Sequence, residues 1–493
     1  MERGRKQVLG GLLIEEVLRQ MRSLVGKWAA GVAALSLAAG AAAQQVEPEN
    51  LLPVAGEAKQ AEDAQKKVRD ETTKDRTNSS SFDDAFPAMV SEPMVQGGME
   101  AEIKPLLASW GLEQAQALVA VIEGIGAEGL DPADYDLEAL KVAMASGPSE
   151  ELDQLASRSF VWLVEDLRDG RTPMDARRQW FVVDPDRDRF RTGDLLEQAA
   201  QTGDVAGTLA QLAPTHPDYA RLKEALARET DPKRIKLIRA NMDRWRWLAR
   251  DLGKQYLITN VPEYQLRLTV NDKIISTYRT IVGKPGRTAT PQLAETVEGV
   301  IFNPTWTVPQ SIVKGEGLGA KVLNNPGWAR SAGYKATKGE NGWITVVQQP
   351  GPGNSLGRMK LDMPNPHAIF LHDTPSRHLF DNTNRALSHG CIRTERALEL
   401  AITMAILGKG ATKEEAVDVA TSGEYTRVPI EREMPVYITY FTMATNIDGE
   451  LATFSDIYDR DAPVLASLDK PRVSNRAVET DEEVIVIEDD LRT

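Results

Sequence analysis

Cysteine is almost missing from this chain: Cys391 is the only one in 493 residues. An internal disulfide is therefore excluded, and the lone thiol needs either a task or a quiet burial. Histidine is nearly as scarce, with five residues, and aromatics make up 6%. Basic charge is in deficit as well, 58 Lys and Arg against 72 Asp and Glu, for a net charge of −14. No basic stripe runs along the sequence, which excludes nucleic acid as a partner and an anionic membrane surface as the main target. No apolar run reaches the roughly 20 residues of a comfortable membrane span. The nearest, Trp28 to Ala43, follows Arg22 and Lys27 and ends in Ala41-Ala42-Ala43 before Gln44. That is the grammar of a cleaved export signal, with Met21 as a candidate start. An uncleaved anchor is the competing reading; after cleavage no stable span is expected.

A chain of this length predicts more than one folded unit. Residues 44–99 are rich in Gln, Glu, Lys, Asp, Ser and Thr and are expected to form a disordered linker. Over 100–250 the apolar spacing is helical. Leu106 to Ile125 recurs at three and four residues before Gly126, and Asp131-Pro132 caps a short helix. Phe160, Leu163, Val164 and Leu167 share a face that stops at Gly170. Trp245 and Trp247 close the last helix, as core or as a face for the next domain. At Tyr256 the period changes to alternation, and Asn271-Asp272 predicts a hairpin turn. Strands are predicted at Ile274–Val282, Thr296–Phe302, Trp343–Val347, Ala368–Leu371 and Val436–Phe441, with helices near 311–323 and 396–420. The fold class is thus α+β and multidomain: a helical domain over 100–250, a β-rich domain over 254–460, and an acidic disordered tail from 461 to 493.

Chemistry gathers around the cysteine, in Ser388-His389-Gly390-Cys391-Ile392-Arg393. A thiol becomes a strong nucleophile when a base takes its proton or nearby positive charge favours the thiolate. His389 and Arg393 offer both within a few residues. Gly390 allows close approach of backbone, whose N–H groups can hold an oxyanion. His372 follows the apolar Ala368-Ile369-Phe370-Leu371 and should project from the strand's end rather than sit in a core. His367, His372, His378 and His389 fall within 23 residues. Their irregular spacing matches no structural zinc pattern, so no metal is expected, and acyl transfer through a thiol requires no organic cofactor.

His372, then fifteen residues, then Ser388-His389-Gly390-Cys391 and Arg393 resembles the signature of the L,D-transpeptidase catalytic domain. Three further stretches resemble its large Gram-negative periplasmic subfamily: Val300-Ile301-Phe302-Asn303-Pro304-Thr305-Trp306-Thr307-Val308-Pro309, Gly351-Pro352-Gly353-Asn354-Ser355-Leu356-Gly357, and Asn365-Pro366-His367-Ala368-Ile369-Phe370-Leu371-His372-Asp373-Thr374-Pro375. The resemblance covers about 100–445, because the helical region is similar to that subfamily's scaffold domain. It implies a periplasmic enzyme that cross-links peptidoglycan, with donor and acceptor stem peptides as partners. Cys391 would be the nucleophile and His372 the base, its ring held by a carbonyl near Asp373. Ser388, His389 and Gly390 would shape the oxyanion pocket. Arg393, Asp373, Trp306 and Asn303 would contact substrate, Arg393 alternatively holding the loop, and carbapenem-type β-lactams would acylate the cysteine. The same acyl-enzyme could instead be resolved by water or attach a lipoprotein, and a vestigial wall-binding scaffold is a further alternative. Three departures stand out, one being Asp373, which stands beside His372 where smaller polar residues are usual in the broader family. Residues 227–235 leave no room for the peptidoglycan-binding module the subfamily often carries, and the capping segment between Asn325 and Gln348 is short. Trp328, Tyr334 and Trp343 in that segment either line the cleft or simply pack.

Overall fold

The computed structural model describes residues 106–484, except 183–185, 309, 316, 341, 475–476 and 478–479. The expected export signal (1–43) and linker (44–99) lie outside the described residues.

The helical region comprises α1 (Leu112–Gly124), α2 (Leu137–Ala145), α3 (Glu150–Asp169), the four-residue α4 (Asp186–Arg189), α5 (Thr192–Thr202), α6 (Val205–Ala210), α7 (Pro217–Leu226) and α8 (Pro232–Arg246). Helix α3 shows why these segments are helical. Ser149 caps it by accepting from the Leu152 N–H, and Glu150, Glu151 and Asp153 occupy the positive end of the dipole. Leu152, Ala156, Phe160, Leu163 and Leu167 fall on one buried face against Leu118 and Ile122 of α1. Asp131 caps the short turn at Pro132, as its sequence predicts.

Strand β1 (Gln255–Asn260) opens the second region and pairs with β2 (Gln265–Val270). The turn to β3 (Lys273–Gly283) is the predicted hairpin: Asn271 and Asp272 both take positive φ, 48° and 62°, as a type I′ turn requires. The predicted strand at Thr296–Phe302 is interrupted, giving β4 (Leu293–Thr296) and β5 (Gly299–Phe302). A separate three-stranded sheet follows, formed by β6 (Trp306–Thr307), β7 (Tyr334–Lys338) and β8 (Ile344–Gln348). With α9 (Leu318–Asn324) and α10 (Pro326–Ser331) it makes a cap with its own small core of Val308, Val313, Val322, Ala329 and Val346. The chain then re-enters the main sheet through β9 (Met359–Asp362), β10 (Leu371–His372), β11 (Ala386–Ser388) and β12 (Ile392–Thr394). After α11 (Ala397–Leu407) and α12 (Lys413–Ser422) come β13 (Thr426–Pro429) and β14 (Pro435–Thr439), then the hairpin of β15 (Met443–Thr445) and β16 (Leu451–Thr453). In space the main sheet runs β13-β5-β9-β10-β12-β3-β2-β1-β14-β4, with β11 beside β3.

The two regions share one apolar core. Trp245 of α8 is sandwiched between His216, 4.2 Å away, and Phe441, 4.5 Å away, while Trp247 meets Trp180 edge-on. Tyr256, Ile258 and Tyr437 of the sheet join the same cluster.

The disorder expected from 461 to 493 is corrected for its first part, residues 461–472. Asp461–Leu468 forms a helix, α13, whose Val464 and Leu468 enter the shared core. Arg472 beyond it is buried against Glu165 and Asp166 of α3. Its partners lie some three hundred residues earlier, so local acidity gave no sign of the docking.

Candidate active site

Register assembles the site. Strand β10 is parallel to β12, pairing Leu371 with Ile392 and His372 with Arg393, so Cys391 sits at the entrance of the strand beside His372. Strand β9 flanks β10 on the other side and sets Lys360 opposite His372. A cleft of about 450 Å³ opens here, lined by His372, Ser388, His389, Cys391 and Arg393 from the sheet side. Trp306, Lys321 and Tyr334 line it from the cap.

His372 closes β10, which is only Leu371–His372, and lines the cleft from that strand end, but it is buried there rather than standing clear of the core. Asn365 truncates the strand by bonding both the N–H and the carbonyl of Ile369. The Nδ1 of His372 lies 2.5 Å from the Asp373 carbonyl oxygen. A carbonyl can only accept, so Nδ1 carries the proton and Nε2 keeps its lone pair. Burial, reinforced by the positive charges of Arg393 and Lys360, pushes the imidazole down to about 3, so it stays neutral.

Cys391 is buried, with its Sγ 3.6 Å from the Ala368 carbonyl. Ser388 holds the loop from within: its hydroxyl donates to the Cys391 carbonyl at 2.6 Å and accepts from the Gly390 N–H at 3.1 Å. Gly390 has φ 123°, a conformation that favours glycine. His389 is exposed at the rim. Burial lowers the Arg393 guanidinium and attraction to Cys391 partly offsets it; among the described residues no carboxylate forms an ion pair with it.

Two of the expected substrate contacts, Asp373 and Asn303, are engaged by the protein itself. Asp373 is buried and turned away from the cleft: its carboxylate accepts from the Arg358 N–H at 2.9 Å and pairs with Arg377 at 2.8 Å. The contact is tight, since a Cβ on Gly357 (φ +65°) would fall 2.4 Å from the Asp373 carboxyl. Asn303, at φ 48°, donates its amide to the carbonyls of Val419 and Glu424, and so ties the end of α12 to β5. Both side chains serve backbone groups, which a motif match does not distinguish from ligand contacts. Trp306 and Tyr334 do line the cleft, whereas Trp328 stacks on Tyr334 at 5.7 Å inside the cap and Trp343 is exposed.

Lys360 went unnoticed in the sequence. It is 6% exposed, its Nζ lies 3.8 Å from the Phe370 ring centre, and burial pulls its ammonium down against the attraction of Cys391. Only β9–β10 pairing, invisible in a one-dimensional motif, brings it to the site. Of the clustered histidines, His367 packs on Phe181 at 4.2 Å. Among the described residues no three His, Cys, Asp or Glu side chains converge as a metal cage.

Comparison with known proteins places a scaffold domain at residues 109–226 and an L,D-transpeptidase catalytic domain at 254–430. A candidate L,D-transpeptidase of Haemophilus influenzae is 30% identical over 223 residues, which are 42% of this chain and 45% of that protein. The L,D-transpeptidase 1 of Mycobacterium tuberculosis overlaps 38% of this chain and 61% of its own, at 10% identity and a TM-score of 0.17. The L,D-transpeptidase from Mycobacterium smegmatis overlaps 38% and 58%, at 10% identity and a TM-score of 0.19. In chain order, then, the protein carries a helical scaffold domain followed by an L,D-transpeptidase catalytic domain that holds the cysteine loop.

Proposed function

We propose that this protein forms peptidoglycan cross-links, joining stem peptides through a thioester on Cys391. The observation that carries the reading is the convergence of Cys391, His372 and Arg393 at one cleft. His372 Nε2 takes the thiol proton as Sγ attacks the carbonyl carbon after the third residue of the donor stem. Collapse of the tetrahedral anion breaks the amide C–N bond, and the departing D-amino acid takes that proton on its amine. An acceptor amine then attacks the thioester, its proton passes to His372, and the sulfur leaves to be reprotonated. Backbone N–H groups around His389–Cys391 would steady the two anions. Arg393 and Lys321, the cations lining the cleft, suit substrate carboxylates. Carbapenem-type β-lactams would acylate the same sulfur.

The reading places the enzyme at the cell wall, in the periplasm. No helix among the described residues is long and apolar enough to cross a membrane. The test is incubation of purified protein with sacculi, followed by mass spectrometry of the muropeptides. New cross-linked species lacking the donor's terminal D-residue are expected, and Cys391→Ser should abolish them. Tripeptides alone would make water the acceptor and the enzyme an L,D-carboxypeptidase; unchanged muropeptides would refute the assignment.

A further inference from the structure

The catalytic match ends at residue 430, yet the loop that carries Cys391 is held by a residue well past it. The Tyr458 hydroxyl donates to the Gly283 carbonyl at 2.5 Å and accepts from the Thr290 N–H at 3.3 Å. Thr290 is fully buried; its hydroxyl donates to the Gly390 carbonyl at 2.8 Å and accepts from the Gly283 N–H at 2.9 Å. On the same loop the Ser388 carbonyl accepts from the Lys284 N–H at 2.9 Å. In a trans peptide the carbonyl of one residue and the N–H of the next point in opposite directions. Fixing the Gly390 carbonyl on Thr290 therefore fixes the N–H of Cys391 and the direction in which its side chain leaves.

The brace continues away from the site. Arg460, 3% exposed, donates to the Thr290 carbonyl at 3.0 Å and lies between the rings of Tyr440 and Tyr458, 4.8 and 4.9 Å from their centres. Its own carbonyl accepts from Arg244 of α8 at 3.1 Å, and Arg244 pairs with Asp461 at 2.6 Å. An unbroken run of polar contacts thus links α8, the last helix before the sheet, to the peptide bond before the nucleophile.

We propose that Thr290 and Tyr458 are positioning residues for the Gly390–Cys391 peptide, and that through Arg460 and Arg244 they make the geometry of the nucleophile depend on the helical domain. The proposal rests on the transferase reading of Cys391. Neither residue is among those lining the cleft; each hydroxyl satisfies backbone groups that would otherwise let the loop shift. A displacement of about 1 Å at a reacting atom can cost roughly 100-fold in rate.

The experiment uses the full chain with Thr290→Val, Thr290→Ser and Tyr458→Phe. It measures cross-linking turnover resolved into kcat and KM, and amide hydrogen exchange of the peptide spanning 386–394. Thr290→Val should lower kcat by about 10- to 100-fold and Tyr458→Phe by about 10-fold, with KM changed by less than about 3-fold. Exchange in the 386–394 peptide should quicken in both. Thr290→Ser, which keeps the hydroxyl, should recover most of the lost turnover. Wild-type kcat and exchange in Thr290→Val and Tyr458→Phe would overturn the proposal. So would a Thr290→Ser protein as impaired as Thr290→Val, since that locates the effect in packing. If the wild type makes no cross-links, the transferase reading fails on its own. The exchange data then decide the brace: faster exchange upholds it and unchanged exchange removes it.

Discussion

Acid should destabilise this fold through His372, by an amount that can be worked out. In the folded protein the imidazole sits near 3, held there first by burial and then by Arg393 and Lys360. In the unfolded chain it returns to about 6.5. Above pH 6.5 it is neutral in both states and contributes nothing to pH dependence. Between 6.5 and 3 the unfolded chain binds a proton that the folded chain refuses, so stability is lost as pH falls through that window. At about 1.4 kcal/mol per unit, acidification from pH 7 to pH 4 spans some two and a half units of it, or roughly 3 kcal/mol. Other groups titrate in the same range, so the comparison is with His372→Asn, whose amide can reproduce the Nδ1–H bond to the Asp373 carbonyl without a basic nitrogen. Urea unfolding of both proteins at pH 7 and pH 4 should show the wild type losing about 3 kcal/mol more than the variant. Equal losses would mean that His372 is solvated or charged in the fold, and the neutral-base reading would fall with it.

Three further outcomes follow from the site and its supports. His372→Ala should reduce cross-linking by about 10²- to 10⁴-fold, more than His389→Ala, because the first removes the base and the second a rim side chain; a larger loss at His389 would reverse the roles. Lys360→Met keeps the length and apolar stem but removes the buried cation facing Cys391, so iodoacetamide should alkylate Cys391 several-fold more slowly at neutral pH. An unchanged or faster rate would place that ammonium outside the thiolate's field. Arg472→Met leaves Asp166 buried without one of its cations and should cost about 3 kcal/mol in urea unfolding; a loss under 1 kcal/mol would show the docking of the C-terminal segment to be incidental.

What could be read in the sequence was what is local. The interval from His372 to Ser388-His389-Gly390-Cys391 survives as parallel neighbours β10 and β12, and the Asn271-Asp272 turn is present because two adjacent residues suffice to specify it. The change from helical to alternating period at Tyr256 also holds, one residue into β1. What escaped is set by distant partners. Lys360 reaches the site only through strand register, and Arg472 finds its counter-charges on α3. Asn303 and Asp373 sit inside recognisable motifs, but their side chains answer to backbone groups of other elements. A motif marks which residues are needed together, not whether each serves the ligand or the loop.

The docked helix α13 also has a consequence in time. Synthesis runs from the N-terminus, so the scaffold helices and every strand of the main sheet exist before Tyr458, Arg460 and Arg472 emerge. The nucleophile's loop would then be complete in sequence but unlocked in geometry until residues 458–472 settle against α3 and α8. Activity would switch on late, as a last clasp closes a case already packed.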